Sequence, residues 1–216
     1  MEQIVSGVGV LDKSLGLVAL VADGPRSLAQ LVQGSGLSRA TAHRLAVALE
    51  AHGLLRRTDD GRFALGLHLI ALGRAAAEQY PLAETARPAL LALRDATGES
   101  VQLYVRDGAD RVCIAALESP HGLRTIVPVG AALPMDVGSA GRVLSGEASK
   151  SGWLQTVGER EPGVASVSAA VRGPDGQVVA AVSVSGPIDR LGRTPGKQHG
   201  EAVLAAAAAI ESRLGA

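Results

Sequence analysis

A chain of 216 residues, 47% of them apolar, has enough core material for two modest domains or one large one and is too apolar to be disordered throughout. Its 21 basic and 21 acidic residues cancel, which argues against a non-specific nucleic-acid coat but leaves room for a local basic face. Aromatics make up only 2%, so Ala, Val and Leu must build the core, and rings for stacking single-stranded bases are scarce. The single Cys113 can form neither an internal disulfide nor a Cys-rich zinc site. With no leader-like opening and no long apolar run, the chain is expected to be cytoplasmic, with no membrane partner.

Along the chain, Val10, Leu11, Leu15, Val18 and Val21 fit one face of a first helix, broken at Asp23-Gly24-Pro25. Ser27 is placed to cap a second helix from Leu28 to Gln33, with Gly34-Ser35-Gly36 as a turn. Ser38 caps a third that runs to His52-Gly53. Two short segments, Leu54–Thr58 and Arg62–Leu65, flank Asp59-Asp60-Gly61 and read as a hairpin. Three helices and a hairpin in this order are those of a winged helix-turn-helix.

Helical patterns resume over Leu67–Tyr80 and Leu82–Thr97, the latter with Pro88 inside and Gly98 as a stop. Strand-like runs follow at Ser100–Arg106, Val112–Leu117, Arg124–Val129, Val164–Val171 and Val178–Val184, the last two joined by Gly173-Pro174-Asp175-Gly176. A final Ala-rich helix covers Gln198–Leu214. The whole predicts an α+β protein: a winged-helix domain over 1–66, a connector helix over 67–81 and an α/β domain over 82–216.

The third helix carries the clearest chemistry. Ala42, Leu45, Ala46 and Leu49 share one face, while Ala40, His43, Arg44 and Val47 lie opposite, with Arg39 and Thr41 at the N-terminal flank. A recognition helix needs such an apolar back and a front of donors for base edges. Arg39 and Arg44 suit guanine or phosphate, and Thr41 suits a phosphate or a thymine methyl. Between Gly24 and Arg62, six Arg face Glu50, Asp59 and Asp60, a local excess of three positive charges in a neutral chain. Arg56, Arg57 and Arg62 fall on the wing. Taken singly, each arginine is equally explained as part of a solvated face; the order of elements, the cap and the wing together favour double-stranded DNA.

Ser27–Leu31, Gly36–Leu45 and Gly61–Gly66 resemble the IclR family of regulators. The similarity continues through Gly138–Arg142, Glu161–Ser168 and Ser183–Pro187, and the C-terminal half looks most like actinobacterial regulators of leucine and other amino-acid metabolism. The resemblance implies a GAF-like effector-binding domain that takes a small organic acid or amino-acid-related metabolite, no cofactor, and a homodimer, with a dimer of dimers as the alternative, on a palindromic operator. It assigns DNA contacts to Ser38, Arg39, Ala40, Thr41, His43, Arg44, Arg56, Arg57 and Arg62. It assigns effector contacts to Ser139, Ala140, Thr156, Ser166, Ser183 and Ser185.

On physical grounds, backbone N–H groups at Ser139–Gly141 would favour a carboxylate. Ser183 and Ser185 share one strand face, which Ser166 joins if the register permits. The bland alternative is that small residues simply let an aromatic-poor core pack. One departure stands out: family members usually carry a further helix and loop after Leu144, where this chain has only Ser145–Ser151. Either the domain is shortened or a stretch is missing from the sequence; a lost wall would leave the pocket open.

Other signals carry less. Gly7-Val8-Gly9 lacks a preceding strand and the third glycine of a dinucleotide loop, and Gly138-Ser139-Ala140-Gly141 has the wrong spacing for a nucleophile elbow. The histidines at 43, 52, 68, 121 and 199 fit no metal spacing, and Cys113 reads as a buried structural thiol. An enzyme is therefore the weak rival; a DNA-binding adaptor without a ligand is the stronger one.

Overall fold

A computed structural model of the chain describes residues 6–215. Residues 1–5 and 216, which fall within the ranges expected for the two outer domains, lie outside the described residues. The chain divides after Tyr80 into two compact units.

The first unit contains α1 (Gly9–Leu20), α2 (Leu28–Ser35), α3 (Arg39–Ala51), β1 (Leu55–Arg57), β2 (Phe63–Leu65) and α4 (His68–Glu78). Ser27 and Gln30 form a reciprocal capping box at the start of α2, satisfying two otherwise orphaned amides. This helix outlasts its expected end at Gln33. Gly34 lies within the helix, where a Cβ would come 2.9 Å from Leu20, and Gly36, left-handed at φ 67°, supplies the stop instead.

The core joins Leu17, Val21, Leu31, Leu45, Ala46, Leu49, Leu55 and the sole phenylalanine, Phe63. Phe63 is fully buried, worth about 1.5–3 kcal/mol in apolar transfer. Its backbone also pairs with Arg26, adding a one-residue third strand to the hairpin. Of the expected first-helix stripe, Val18 and Val21 join the core beside Leu17, whereas Val10, Leu11 and Leu15 are exposed, and so are Leu67, Ile70 and Leu72 at and along α4.

The second unit contains α5 (Leu82–Thr97), β3 (Ser100–Asp107), β4 (Asp110–Leu117), β5 (Ala132–Pro134), α6 (Ser139–Leu144), β6 (Trp153–Val157), β7 (Val164–Arg172), β8 (Val178–Pro187), α7 (Ile188–Leu191) and α8 (Pro195–Leu214). Its antiparallel sheet has the order β5-β4-β3-β8-β7-β6. Strand alternation sorts its side chains to two faces. Val101, Leu103, Ala165, Val167, Val182 and Val184 pack against α5 and α8, whereas Tyr104, Cys113 and Ala181 meet α6. The sole tryptophan, Trp153, lies on α8 at Gly196 and Gly200, where a Cβ would fall 2.0 Å and 2.4 Å from its ring.

Two expectations need correction. Arg124–Val129 is not a strand: Ser100 Oγ holds this segment by donating to the Thr125 carbonyl at 2.7 Å, and Arg124 pairs with Glu118. Leu123, Ile126 and Val129 point outward. Conversely, Trp153–Val157 forms an unanticipated edge strand on β7. None of the helices among the described residues is long and apolar enough to cross a membrane.

Candidate functional sites

On α3 the Ser38 hydroxyl caps the helix by accepting the Thr41 amide at 3.3 Å and contacts the Thr41 hydroxyl at 2.9 Å. Ala42, Leu45, Ala46 and Leu49 are buried, and Arg39, Ala40, His43 and Arg44 are exposed. Thr41 is half-buried at the edge between the faces. Arg39, Arg44 and Arg56 are exposed and make no ion pair among the described residues.

The other two wing arginines are engaged. Arg57 reaches Glu50 at 3.4 Å, donates to the Gly61 carbonyl at 3.2 Å and lies over the Phe63 ring at 4.2 Å. Arg62 pairs with Asp60 at 3.0 Å, and a hydrogen bond from Thr58 helps hold the Asp60 carboxyl below its usual range. Gly61, at φ 77°, makes the turn between them.

In the second unit the register draws polar residues into two rows. Thr156 faces Ser166, which faces Ser185, which faces Ser100; in the next row Ser168 faces Ser183, which faces Gln102. Ser139, at the start of α6, caps these rows: its hydroxyl lies 2.7 Å from those of both Ser166 and Ser168. Thr156 and Ser166 are 3.0 Å apart, Ser168 donates to Ser183 at 2.9 Å, and Ser185 donates to Gln102 at 2.9 Å. Ser139, Ala140, Thr156, Ser166, Ser183 and Ser185 therefore all line one cavity of about 20 Å³. That is the room one water needs.

Of the backbone amides expected to meet a carboxylate, Ser139 N–H is used internally, donating to Thr156 at 3.1 Å, and the neighbouring Gly138 N–H donates to Glu159 at 3.2 Å. The sequence reading missed Ser168, although period-two spacing from Ser166 marks it. It also missed Tyr104, Arg111 and Arg160, which line the same cavity. Arg111 sits over the Tyr104 ring at 5.4 Å and donates to the Pro134 carbonyl. Burial pulls its pKa down and pushes that of Tyr104 up.

The turn after α6 is closed by Arg142 and Glu147, whose side chains meet at 2.7 Å. Beside it lies a larger cavity of about 160 Å³, bordered by Val143, Gly146, Leu154, Ala170 and Val178. The short connection thus leaves open the C-terminal end of α6 and not the hydroxyl cluster at its start. Among the described residues no cluster of His, Cys, Asp and Glu is arranged to hold a metal.

A capped helix with an apolar back and a basic front, followed by a wing, defines a winged-helix DNA-binding regulator joined to an α/β domain. The family model for the IclR helix-turn-helix domain matches residues 10–59. The model for the bacterial transcriptional regulator IclR C-terminal domain matches 74–148 and 146–212, two pieces that meet at the short turn. The chain belongs to the IclR family of transcription regulators, a family of DNA-binding proteins and not of enzymes.

Over 131 residues it is 29% identical to the regulator KipR of Bacillus subtilis, covering 60% of this chain and 52% of that protein. Over 145 residues it is 29% identical to the Escherichia coli repressor IclR, covering 65% and 53%. These matches span about half the length of those relatives. A glycerol operon regulatory protein of Streptomyces griseus is 27% identical over 244 residues, covering 95% of this chain and 96% of that one. The fold is shared with an IclR homolog of Microbacterium hydrocarbonoxydans complexed with 4-hydroxybenzoate: TM-score 0.81, 20% identity, 95% and 98% covered.

Proposed function

We propose that the operator affinity of this regulator is set by a small organic acid or amino-acid-related metabolite bound at the hydroxyl cluster. In this reading Ser38, Arg39, Ala40, Thr41, His43 and Arg44 meet one half-site of a palindromic operator, Arg56 and Arg62 reach the flanking backbone, and Arg57 holds the wing in shape. A homodimer, or two such dimers paired, uses the exposed apolar faces of α1 and α4. The carrying observation for the effector is the convergence of five hydroxyls from α6, β6, β7 and β8 on one cavity. The 4-hydroxybenzoate bound by a relative of the same fold supports a ligand in this class of domain.

A second reading, a DNA-binding adaptor without a ligand, is favoured by the small cavity and by hydroxyls that already satisfy one another. Gel-shift titration on the chain's own upstream promoter, at two salt concentrations with leucine, pyruvate and other small keto acids added in turn, separates the two. A salt-weakened shift altered by one metabolite supports effector control, because a ligand moves the equilibrium only by its differential affinity for the two states. A specific shift indifferent to every metabolite, with an unmoved melting temperature, establishes the adaptor.

A further inference from the structure

We propose that Arg111, assisted by Arg160, is the anchor for an oxyanion group of the effector, so that the effector is a compact carboxylate or phosphate and not a neutral or cationic molecule. This rests on reading the hydroxyl cluster as the effector site and names the chemistry that the site selects.

Arg111 is 2% exposed, yet among the described residues no carboxylate lies within ion-pair distance of it. Three more exposed arginines of the same unit are matched: Arg190 with Glu99 at 2.6 Å, Arg142 with Glu147, Arg124 with Glu118. Arg111 has instead the Pro134 carbonyl, the face of Tyr104 and an Nε with no hydrogen-bond partner. A buried charge without a counter-charge is unfavourable and is seldom kept unless something pairs with it. The nearby acids are committed or distant: Glu159 accepts from Gly138 N–H and faces Arg142, and Asp136 acts on Arg111 only through space.

The guanidinium is also held in place. A Cβ at Gly138 or Gly141 would lie 3.3 Å and 2.7 Å from its nitrogens, so the two glycines let it lie flat against the start of α6. Such a fixed planar fork suits bidentate recognition of carboxylate or phosphate. Arg160 lines the same cavity, is near enough to depress the Arg111 pKa, and has only Glu161, at 3.7 Å, as a partner. Two like charges facing one cavity favour an anion between them. The cavity holds about 20 Å³, the room of one water, so an oxyanion enters only if a wall yields, and the more exposed Arg160 is the side chain placed to move aside and close over it.

The test uses the full chain, with calorimetry and thermal melts in malonate, pyruvate, inorganic phosphate and neutral glycerol at matched ionic strength. Saturable binding of at least one anion and none of glycerol is expected, and malonate against phosphate identifies the head group. Arg111→Met should weaken that binding at least tenfold without lowering the melting temperature of the unliganded protein, because it removes an unpaired charge. A merely structural arginine would instead lower the melting temperature and leave binding intact. If Arg111→Met does not fold, Arg160→Gln is read in its place, with at least a threefold loss expected.

No anion binding by the parent protein, or glycerol binding as well as the anions, overturns the proposal. Ser139→Ala with Ser166→Ala separates the failures. Anion binding lost in this double variant but unchanged in Arg111→Met rejects the anchor and keeps the site. Binding unchanged in both rejects the site itself.

Discussion

Replacing Arg39 and Arg44 together with alanine isolates DNA reading from folding. Both side chains are exposed and make no ion pair or side-chain hydrogen bond among the described residues, so none is lost. Exposed substitutions of this kind usually change stability by less than about 0.5 kcal/mol. Arg39 moreover occupies the first turn of α3, where a positive charge opposes the helix dipole, and alanine is the better helix former. The melting temperature should therefore hold or rise slightly.

In the complex each guanidinium that grips a guanine contributes about 1–3 kcal/mol, roughly 5- to 150-fold in Kd. One that only grips phosphate lowers the salt slope by about 1. Fluorescence anisotropy at four salt concentrations measures affinity and slope, with circular dichroism and melts as folding controls. A folded double variant with unchanged Kd and unchanged slope would refute α3 as the reading helix. Arg57→Ala is the contrast: it loses its stacking on Phe63 and its Glu50 contact, so stability should fall by about 1 kcal/mol.

Three further changes probe the second unit. Gly141→Ala places a Cβ 2.2 Å from the Met135 carbonyl oxygen and should cost about 1–3 kcal/mol in urea unfolding. Gly200→Val drives bulk into the Trp153 ring, and because Trp153 is the sole tryptophan its fluorescence should report the displacement directly; an unshifted spectrum with native stability would contradict the packing. The hydrogen bond from Arg142 holds the Glu147 carboxyl below its usual 4.5. Its folded pKa lies under the unfolded one, so the stabilisation is complete above pH 4.5 and is lost as pH falls through the folded value. Glu147→Gln should flatten that acid limb of the melting curve.

What the sequence disclosed follows from how local each signal is. The capping residues Ser27 and Ser38, the left-handed stop at Gly98 and the Asp-Gly turn act over three or four positions, so α2, α3, α5 and the hairpin were legible. The end of α2 was not, because Gly34, which reads as a turn, answers a tertiary demand, the close approach of Leu20, and the stop falls at Gly36. Arg124–Val129 has strand composition but joins no sheet, because the Ser100 hydroxyl holds the segment as a loop. The serine rows were half legible. Alternation put Ser183 and Ser185 on one face, but that Ser166 faces Ser185 and Ser168 faces Ser183 is a matter of register. Arg111 gave no local sign, since its interest lies in burial and in the absence of a carboxylate, and both depend on folding.

The anchoring of α6 does not depend on the turn that follows it. The helix is fixed at its start by Ser139, which binds β7 through two hydroxyls, and by Val143 and Leu144 against Tyr104 and Ala181. None of these contacts involves residues 145–152 of the turn itself. The edge strand β6 is secured independently, by pairing with β7 and by Trp153 on α8. The short turn has only to span from one anchored element to the other, and it leaves the larger cavity at the far end of α6 from the hydroxyls. Filling that cavity with Ala148→Leu should therefore raise stability without changing anion affinity. A parallel change in both would mean that the two ends of α6 act as one site.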